Sequence, residues 1–293
     1  MHHKILCLCV GWALCLALLL PQPLRALEVA EKEAAPPPDD NYTLPNAPIT
    51  DRVVNVHTAA TTRKGALTLV IDHRAHKTFL SGKDAWFDYL GLDAAGMKIG
   101  LGLRYGILDF LDAGLYRLSS GRDDFDVYEF DVKARFLQQD DHWFNAALRT
   151  GFTWFVRPGV RDTMGFYSQL LVDHRFFRCL KIGTGLAFHT ASANDEKRLS
   201  DESVSAAVLA HLEWRPIRQF SIGAELAANV AGYASRYPDF AFSARFLTYR
   251  HAFALVVANT QYMSADGITT NSWRHWDELV FGFQILREFT IVK

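Results

Sequence analysis

The feature that most limits what this chain can fold into is a two-residue hydrophobic period that begins near Ala66 and recurs to the C-terminus. It is clearest at Tyr128, Phe130, Val132, Ala134 and Phe136, which alternate with Glu129, Asp131, Lys133 and Arg135. Successive strand side chains point to opposite faces, so as a strand this stretch carries one apolar and one charged surface. A single strand of that kind fits the half-exposed sheet of a soluble protein. Repetition argues for something else. Met97, Ile99, Leu101, Leu103 and Tyr105 alternate with Lys98, Gly100, Gly102, Arg104 and Gly106, and the same period runs through 144–154, 180–189, 240–246 and 281–285.

The alternation predicts an all-β antiparallel protein. The expected strands are 66–75, 96–107, 112–119, 125–137, 143–155, 164–175, 179–189, 203–214, 219–231, 239–249, 252–263 and 279–289. Most have about ten residues or more, against roughly five or six in an average globular strand. Ten residues at about 3.3 Å each, tilted near 45°, climb roughly 23 Å, which suits the ~25 Å apolar band of a transmembrane barrel. Phe144 and Trp154 share a face at that separation, as two aromatic girdles would require. The gaps also alternate: 108–111, 138–142, 176–178, 215–218 and 250–251 are short, while 76–95, 156–163, 190–202, 232–238 and 264–278 are longer, and only 120–124 breaks the pattern. Outer-membrane barrels have short periplasmic turns and longer outer loops, and a soluble sandwich has no reason to sort them so. The expected fold is a transmembrane β-barrel of about twelve strands with both termini in the periplasm.

Two stretches leave room for another arrangement. Ala206, Ala207, Ala210, Ala224, Ala227 and Ala228 favour helix, so a helical hairpin over 203–231 competes with two strands. Arg52–Ala60 contains Val53, Val54 and Val56, and an extra strand there would make the number odd. It is therefore expected to lead into the barrel or to lie inside it.

At the N-terminus, basic Met1–Lys4, apolar Ile5–Leu20 and the Pro21–Ala26 breaker read as a signal peptide over 1–26. An uncleaved anchor helix is the alternative. Residues 27–50, with Ala34-Ala35-Pro36-Pro37-Pro38-Asp39-Asp40, cannot build a core and read as a Pro-rich periplasmic tail. The barrel domain is then 51–293. Beyond residue 26 only Cys179 remains, which excludes an intrachain disulfide, a multi-cysteine metal site and a c-type haem attachment. With 31 basic and 32 acidic residues, the balance gives no electrostatic case for nucleic acid.

Several motifs resemble a family of bacterial membrane-bound β-barrel proteins, the domain of unknown function 5777. They are Val53-Val54-Asn55-Val56-His57 with Lys64-Gly65, Asp72-His73-Arg74, Tyr89-Leu90-Gly91-Leu92-Asp93, Leu103-Arg104-Tyr105-Gly106-Ile107 and Gly282-Phe283-Gln284-Ile285-Leu286-Arg287-Glu288-Phe289. The resemblance covers roughly residues 50–289. It implies the fold and a membrane location, and it implies no catalytic residue.

If the apolar face meets lipid, the opposite face collects Lys98, Arg104, Glu129, Asp131, Lys133, Arg135, Arg149, Asp173, Arg175, Lys181, Glu225 and Arg245 as candidate lumen-lining residues. They either line a polar solute path or pair to fill a closed interior, and a barrel of this size allows both. Trp86, Phe87 and Tyr89, in the first long loop, are candidates for a cap over the mouth. The repeated Asp72-His73-Arg74 and Asp173-His174-Arg175 fall at opposite membrane faces in this topology, so a shared site is not expected, whereas His73 and His189 fall at the same end. Ser192 follows His189 and Ser168 sits within a strand, but neither makes a recognisable nucleophile–base arrangement. No metalloprotease, phosphate-loop or dinucleotide motif is present. No cofactor, metal or catalytic residue is assigned, and the protein is not expected to be an enzyme.

The last strand, with Phe281, Phe283, Ile285 and Phe289, is similar to the signal read by the barrel-assembly machinery, although Thr290–Lys293 follow the final aromatic. The leading expectation is a bacterial outer-membrane barrel in contact with outer-membrane lipid. It would act as a passive pore or small-solute transporter with a partly plugged polar lumen. The alternatives are a barrel that binds a hydrophobic ligand or docks a periplasmic partner, and an outer-membrane hydrolase.

Overall fold

The computed structural model describes residues 50–78, 97–119, 125–159, 161–177, 179–192 and 204–292. The expected signal peptide, most of the Pro-rich tail and the cap candidates Trp86, Phe87 and Tyr89 lie outside those residues. The described chain forms twelve strands: β1 (Ala66–Thr78), β2 (Met97–Leu108), β3 (Leu111–Ser119), β4 (Asp126–Leu137), β5 (Asn145–Val156) and β6 (Thr163–Phe176) in the first half. The second half holds β7 (Leu180–His189), β8 (Ser205–Ile217), β9 (Phe220–Ala231), β10 (Asp239–Thr248), β11 (His251–Ala258) and β12 (Val280–Thr290), with one short helix, α1 (Ala265–Thr269).

Each strand pairs antiparallel with the next, and β12 returns to β1, closing the barrel. The closing register sets Leu67 opposite Phe289 and Ile71 opposite Ile285. Closure leaves no unpaired edge, the condition for a sheet to stand in hydrocarbon. The short connections, 109–110, 177–179, 218–219 and 249–250 among them, gather at the end that holds both the start of β1 and the end of β12.

Strand alternation decides which side chains face out. Leu101, Leu103, Leu115, Val132, Leu186, Phe242 and Leu255 are exposed on the outer wall, whereas their sequence neighbours are buried. Cross-strand pairs on that wall add aromatic contacts, Phe130 with Phe152 at 5.0 Å and Tyr128 with Trp154 at 5.5 Å between ring centroids. Gly100, on the inner face of β2, has a steric reason to lack a side chain. A Cβ there would stand 1.9 Å from the Tyr116 hydroxyl, which donates to the Asp72 carboxylate at 3.0 Å.

Two expectations need correction. The strand expected over 252–263 ends at Ala258, because from Asn259 the chain turns into the barrel mouth. Asn259 donates to the Pro238 carbonyl and its side-chain oxygen accepts from the Phe240 amide. The helical hairpin considered over 203–231 does not form. That stretch is β8 and β9, paired from Ala206 opposite Ala231 to Ile217 opposite Phe220. The helix preference of alanine is worth only tenths of a kcal/mol per residue, and the ladders that β8 and β9 make with each other and with β7 and β10 outweigh it.

Candidate functional site

The lumen is the site, and much of it is filled by segments that are not strands. Residues 50–59, 61 and 62 are buried inside the barrel, forming a plug that precedes β1. Its tip is a tight hairpin. Arg52 bridges to His57, the Val53 amide donates to the Val56 carbonyl at 3.0 Å, and the Thr58 amide donates to the Asp51 carbonyl at 2.8 Å. This settles the reading of Arg52–Ala60 as a segment inside the barrel.

The barrel grips the plug largely by its backbone. The Glu225 carboxylate accepts from three successive amides, Val54, Asn55 and Val56, at 2.8–2.9 Å. Asp173 accepts from the Ala59 amide and Asp112 from the Thr62 amide, each at 2.7 Å. In the opposite sense, Arg245 donates to the Val53 carbonyl at 2.5 Å and Gln284 to the Val54 carbonyl at 3.2 Å. Apolar contact completes the seat: Val56 and Ala59 pack with Ala147, Leu171, Ala187, Ala207, Leu209, Ala227 and Ile268. Two of the alanines that argued for helix, Ala207 and Ala227, are thus small inner-wall residues that leave room for the plug, while Ala206, Ala210, Ala224 and Ala228 take the outward positions of the same strands.

A charge network joins plug to wall. Arg104 reaches Asp51 at 3.1 Å, Asp112 at 2.5 Å and Asp131 at 2.7 Å. Arg149 shares Oδ2 of Asp131 with Arg104, at 2.8 Å, and reaches Glu129 at 3.2 Å. Asp51 also lies 3.7 Å from Lys133 and 3.2 Å from His57. Burial alone would raise the Asp51 carboxyl, but the charges of Lys133 and Arg52 and the hydrogen bond from His57 outweigh it and hold that group well below the usual carboxylate range. Burial, then the charges of Arg149 and Arg52, push His57 well below its ordinary value, so it is neutral.

The other end of the lumen is occupied by the chain between β11 and β12. Met263 packs with Tyr116, Leu118, Phe125, Val127, Phe155 and Ala191, the Ala265 amide donates to Glu129, and Lys98 stands 3.8 Å over the Tyr262 ring. Asn229 donates to the Thr269 carbonyl at 2.7 Å, fastening α1 to β9.

Of the twelve residues expected to line the lumen, Lys98, Arg104, Glu129, Asp131, Lys133, Arg149, Asp173, Lys181, Glu225 and Arg245 are buried within it. The remaining two stand outside the buried lumen. Arg135 is half-buried and donates to the Asp109 carbonyl at the short-turn rim, and Arg175 is exposed there. Both keep the inward alternation but come after the last buried layer of their strands. Sequence reasoning passed over Asp51, Arg52 and His57 on the plug and Asp72, Arg74, Asp112 and Glu213 on the wall. Strand parity alone could have found the wall residues.

The Asp-His-Arg copies do not converge. Asp72 meets Tyr116 and Gln284, Asp173 meets the plug and Asn145, and the two middle histidines face outward, His73 stacked on Phe283 at 4.4 Å. The suggested pairing of His73 with His189 is therefore not formed, since His189 faces inward. His189 accepts from the Ala191 amide through Nδ1 and lies 3.0 Å from Thr153 through Nε2. Ser192 bonds to Asp266 at 3.3 Å and approaches Thr270 at 3.4 Å.

A closed, lipid-faced barrel whose charged lumen holds its own chain defines a class, the plugged membrane barrels. The chain belongs to the membrane-bound beta barrel domain family DUF5777, whose model matches residues 50–289. None of the curated proteins is a recognisable relative. Among solved structures, the chain is similar to an outer membrane channel from Pseudomonas putida F1, with a TM-score of 0.47 and 12% identity over 79% of this chain and 98% of that one. It is also similar to the NanC porin, with a TM-score of 0.46 and 10% identity over 77% and 100%. A third is LpxR from Salmonella typhimurium, with a TM-score of 0.39 and 8% identity over 75% and 99%.

Proposed function

We propose that this protein is an outer-membrane channel for small polar solutes, non-enzymatic, and closed at rest by its own residues 50–64 and by the segment around α1. The observation that carries this reading is how the plug is held. Buried barrel carboxylates, Glu225, Asp173 and Asp112, accept from plug amides, so the lumen is filled by a separable segment and not by strand side chains alone. A twelve-stranded barrel is wider than the eight-stranded ones that side chains alone fill, and here the remaining width is taken by a segment whose departure would leave a passage. When the segment leaves, Arg104, Lys133, Arg149, Asp131 and Glu225 face the vacated space, a wall with both signs of charge suited to hydrated polar solutes. Among the described residues Ser192 bonds to Asp266 while His189 turns to Thr153, an arrangement that supports the channel reading over the hydrolase.

Single-channel recording in a planar bilayer tests the reading. Glu225→Ala combined with Asp173→Ala removes acceptors for four plug amides while leaving the outer wall intact. The expected result is rare, brief openings in the wild type and frequent openings in the double variant. Silence of both proteins at every voltage, with the barrels shown to be folded by their heat-modifiable electrophoretic mobility, would overturn it.

A further inference from the structure

The short-turn rim of the barrel divides into two arcs of opposite charge. Around β2–β5 exposed Asp109, Asp140 and Asp141 outnumber the half-buried Arg135. Around β6–β12 the character changes. The described residues of the turns there, 174–177, 214–220 and 247–253, together with the end of β12, carry Arg175, Arg215, Arg218, Arg250 and Arg287, of which Arg215 pairs with Glu213 at 3.3 Å, and the acidic residues beside them, Glu213 and Glu288, are buried. The same arc presents aromatic side chains outward, Phe177 at 86% and Tyr249 at 62% exposure. Arg250 lies 5.3 Å from the centroid of the Tyr249 ring, and Arg287 lies 4.8 Å from that of Phe289.

Position along the strands identifies what this arc meets. Phe246, Phe253 and Trp214, exposed on the outer wall, run directly into it, so the arc continues the lipid-facing surface and lies where hydrocarbon gives way to headgroups. Aromatic rings favour that layer, and each Lys or Arg beside an anionic leaflet adds attraction that salt screens. Guanidinium groups suit phosphate oxygens because they donate in a planar fork. Phe177 adopts a left-handed backbone conformation, φ 48°, which is uncommon for a residue with a bulky side chain. It is found here with the ring held outward at the turn tip.

We propose that the arc from β6 to β12 is a docking surface for anionic phospholipid, with phosphate groups on Arg218, Arg250 and Arg287 and acyl chains on the aromatic wall above them. The surface is separate from the lumen, so it stands whether or not the channel reading does.

The test uses the full barrel refolded into phosphatidylcholine vesicles that contain a spin-labelled lipid, either phosphatidylglycerol or phosphatidylcholine. Electron paramagnetic resonance reads the motion-restricted fraction of each. The expected result is a relative association constant severalfold higher for phosphatidylglycerol. It should fall towards one at about 1 M salt, where the screening length is ~3 Å. The same fall is expected in the triple variant Arg218→Gln, Arg250→Gln, Arg287→Gln. A control triple, Asp109→Asn, Asp140→Asn, Asp141→Asn, should keep the preference. Equal constants for the two lipids in the wild type would overturn the proposal, as would a preference that survives the arginine triple in a folded barrel.

Discussion

Asp51 and His57 show how closely the plug and the wall are matched. Arg104 holds three carboxylates, Asp51, Asp112 and Asp131, one from the plug and two from the wall. Removing one member of such a buried network leaves the others uncompensated. His57 makes this arrangement sensitive to acid. Its folded pKa lies well below the ordinary histidine value, so between about pH 6.5 and the folded value the unfolded chain binds a proton that the folded chain does not. Stability contributed by neutral His57 is therefore fully present above about pH 6.5 and declines as the pH falls. The Asp51 carboxyl is also depressed, and its contribution is lost only at lower pH, as the pH falls through its folded pKa. His57→Gln should flatten the fall of the thermal midpoint between about pH 6.5 and pH 5 relative to the wild type. Parallel pH profiles for the two proteins, measured by circular dichroism, would contradict the burial of a neutral His57.

Among the elements, β8, β9 and the plug explain each other. Read alone, Ala206–Ala210 and Ala224–Ala228 leave helix and strand undecided, because alanine is small enough for either face and carries no alternation signal. The plug resolves it: Ala207 and Ala227 touch the cluster around Val56 and Ala59, so their smallness is a packing requirement set by a segment more than a hundred residues away in sequence. The outer wall was legible for the opposite reason, since alternation such as Tyr128–Phe136 is a local signal. Lys133 and Arg149 could be placed on the inner face from parity alone, but their partner Asp51 or Asp131 depends on strand register and on the plug's path. Strand ends were the least legible part. Arg135 and Arg175 keep the alternation past the point where the lumen stops burying side chains, and β11 ends at Ala258 because Asn259 turns the chain inward. Enlarging the inner wall should expose the plug's tight fit. Ala207→Leu overpacks the contact with Val56, Ala59 and Ile268 and should cost about 1–3 kcal/mol in denaturant unfolding. The far-ultraviolet strand signal should be retained. No loss of stability would mean that the plug does not fill that space.

For the whole molecule, the closed β1–β12 sheet supplies the wall, its apolar face turned outward, and the plug and the α1 segment occupy the interior. The twelve-strand ladder closes without the plug, so in the proposed channel the plug could leave without breaking the wall. A covalent latch tests this most directly. A Cβ built on Gly223 would lie 2.6 Å from Cγ1 of Val53, which places Val53→Cys and Gly223→Cys within reach of a disulfide, whose Cβ atoms stand about 3.5–4.5 Å apart. In a planar bilayer, channels carrying this pair in the Glu225→Ala, Asp173→Ala background should be silent when oxidised and should open on addition of reductant. Conductance that is the same before and after reduction, with disulfide formation verified by mass spectrometry, would contradict a plug that gates the lumen.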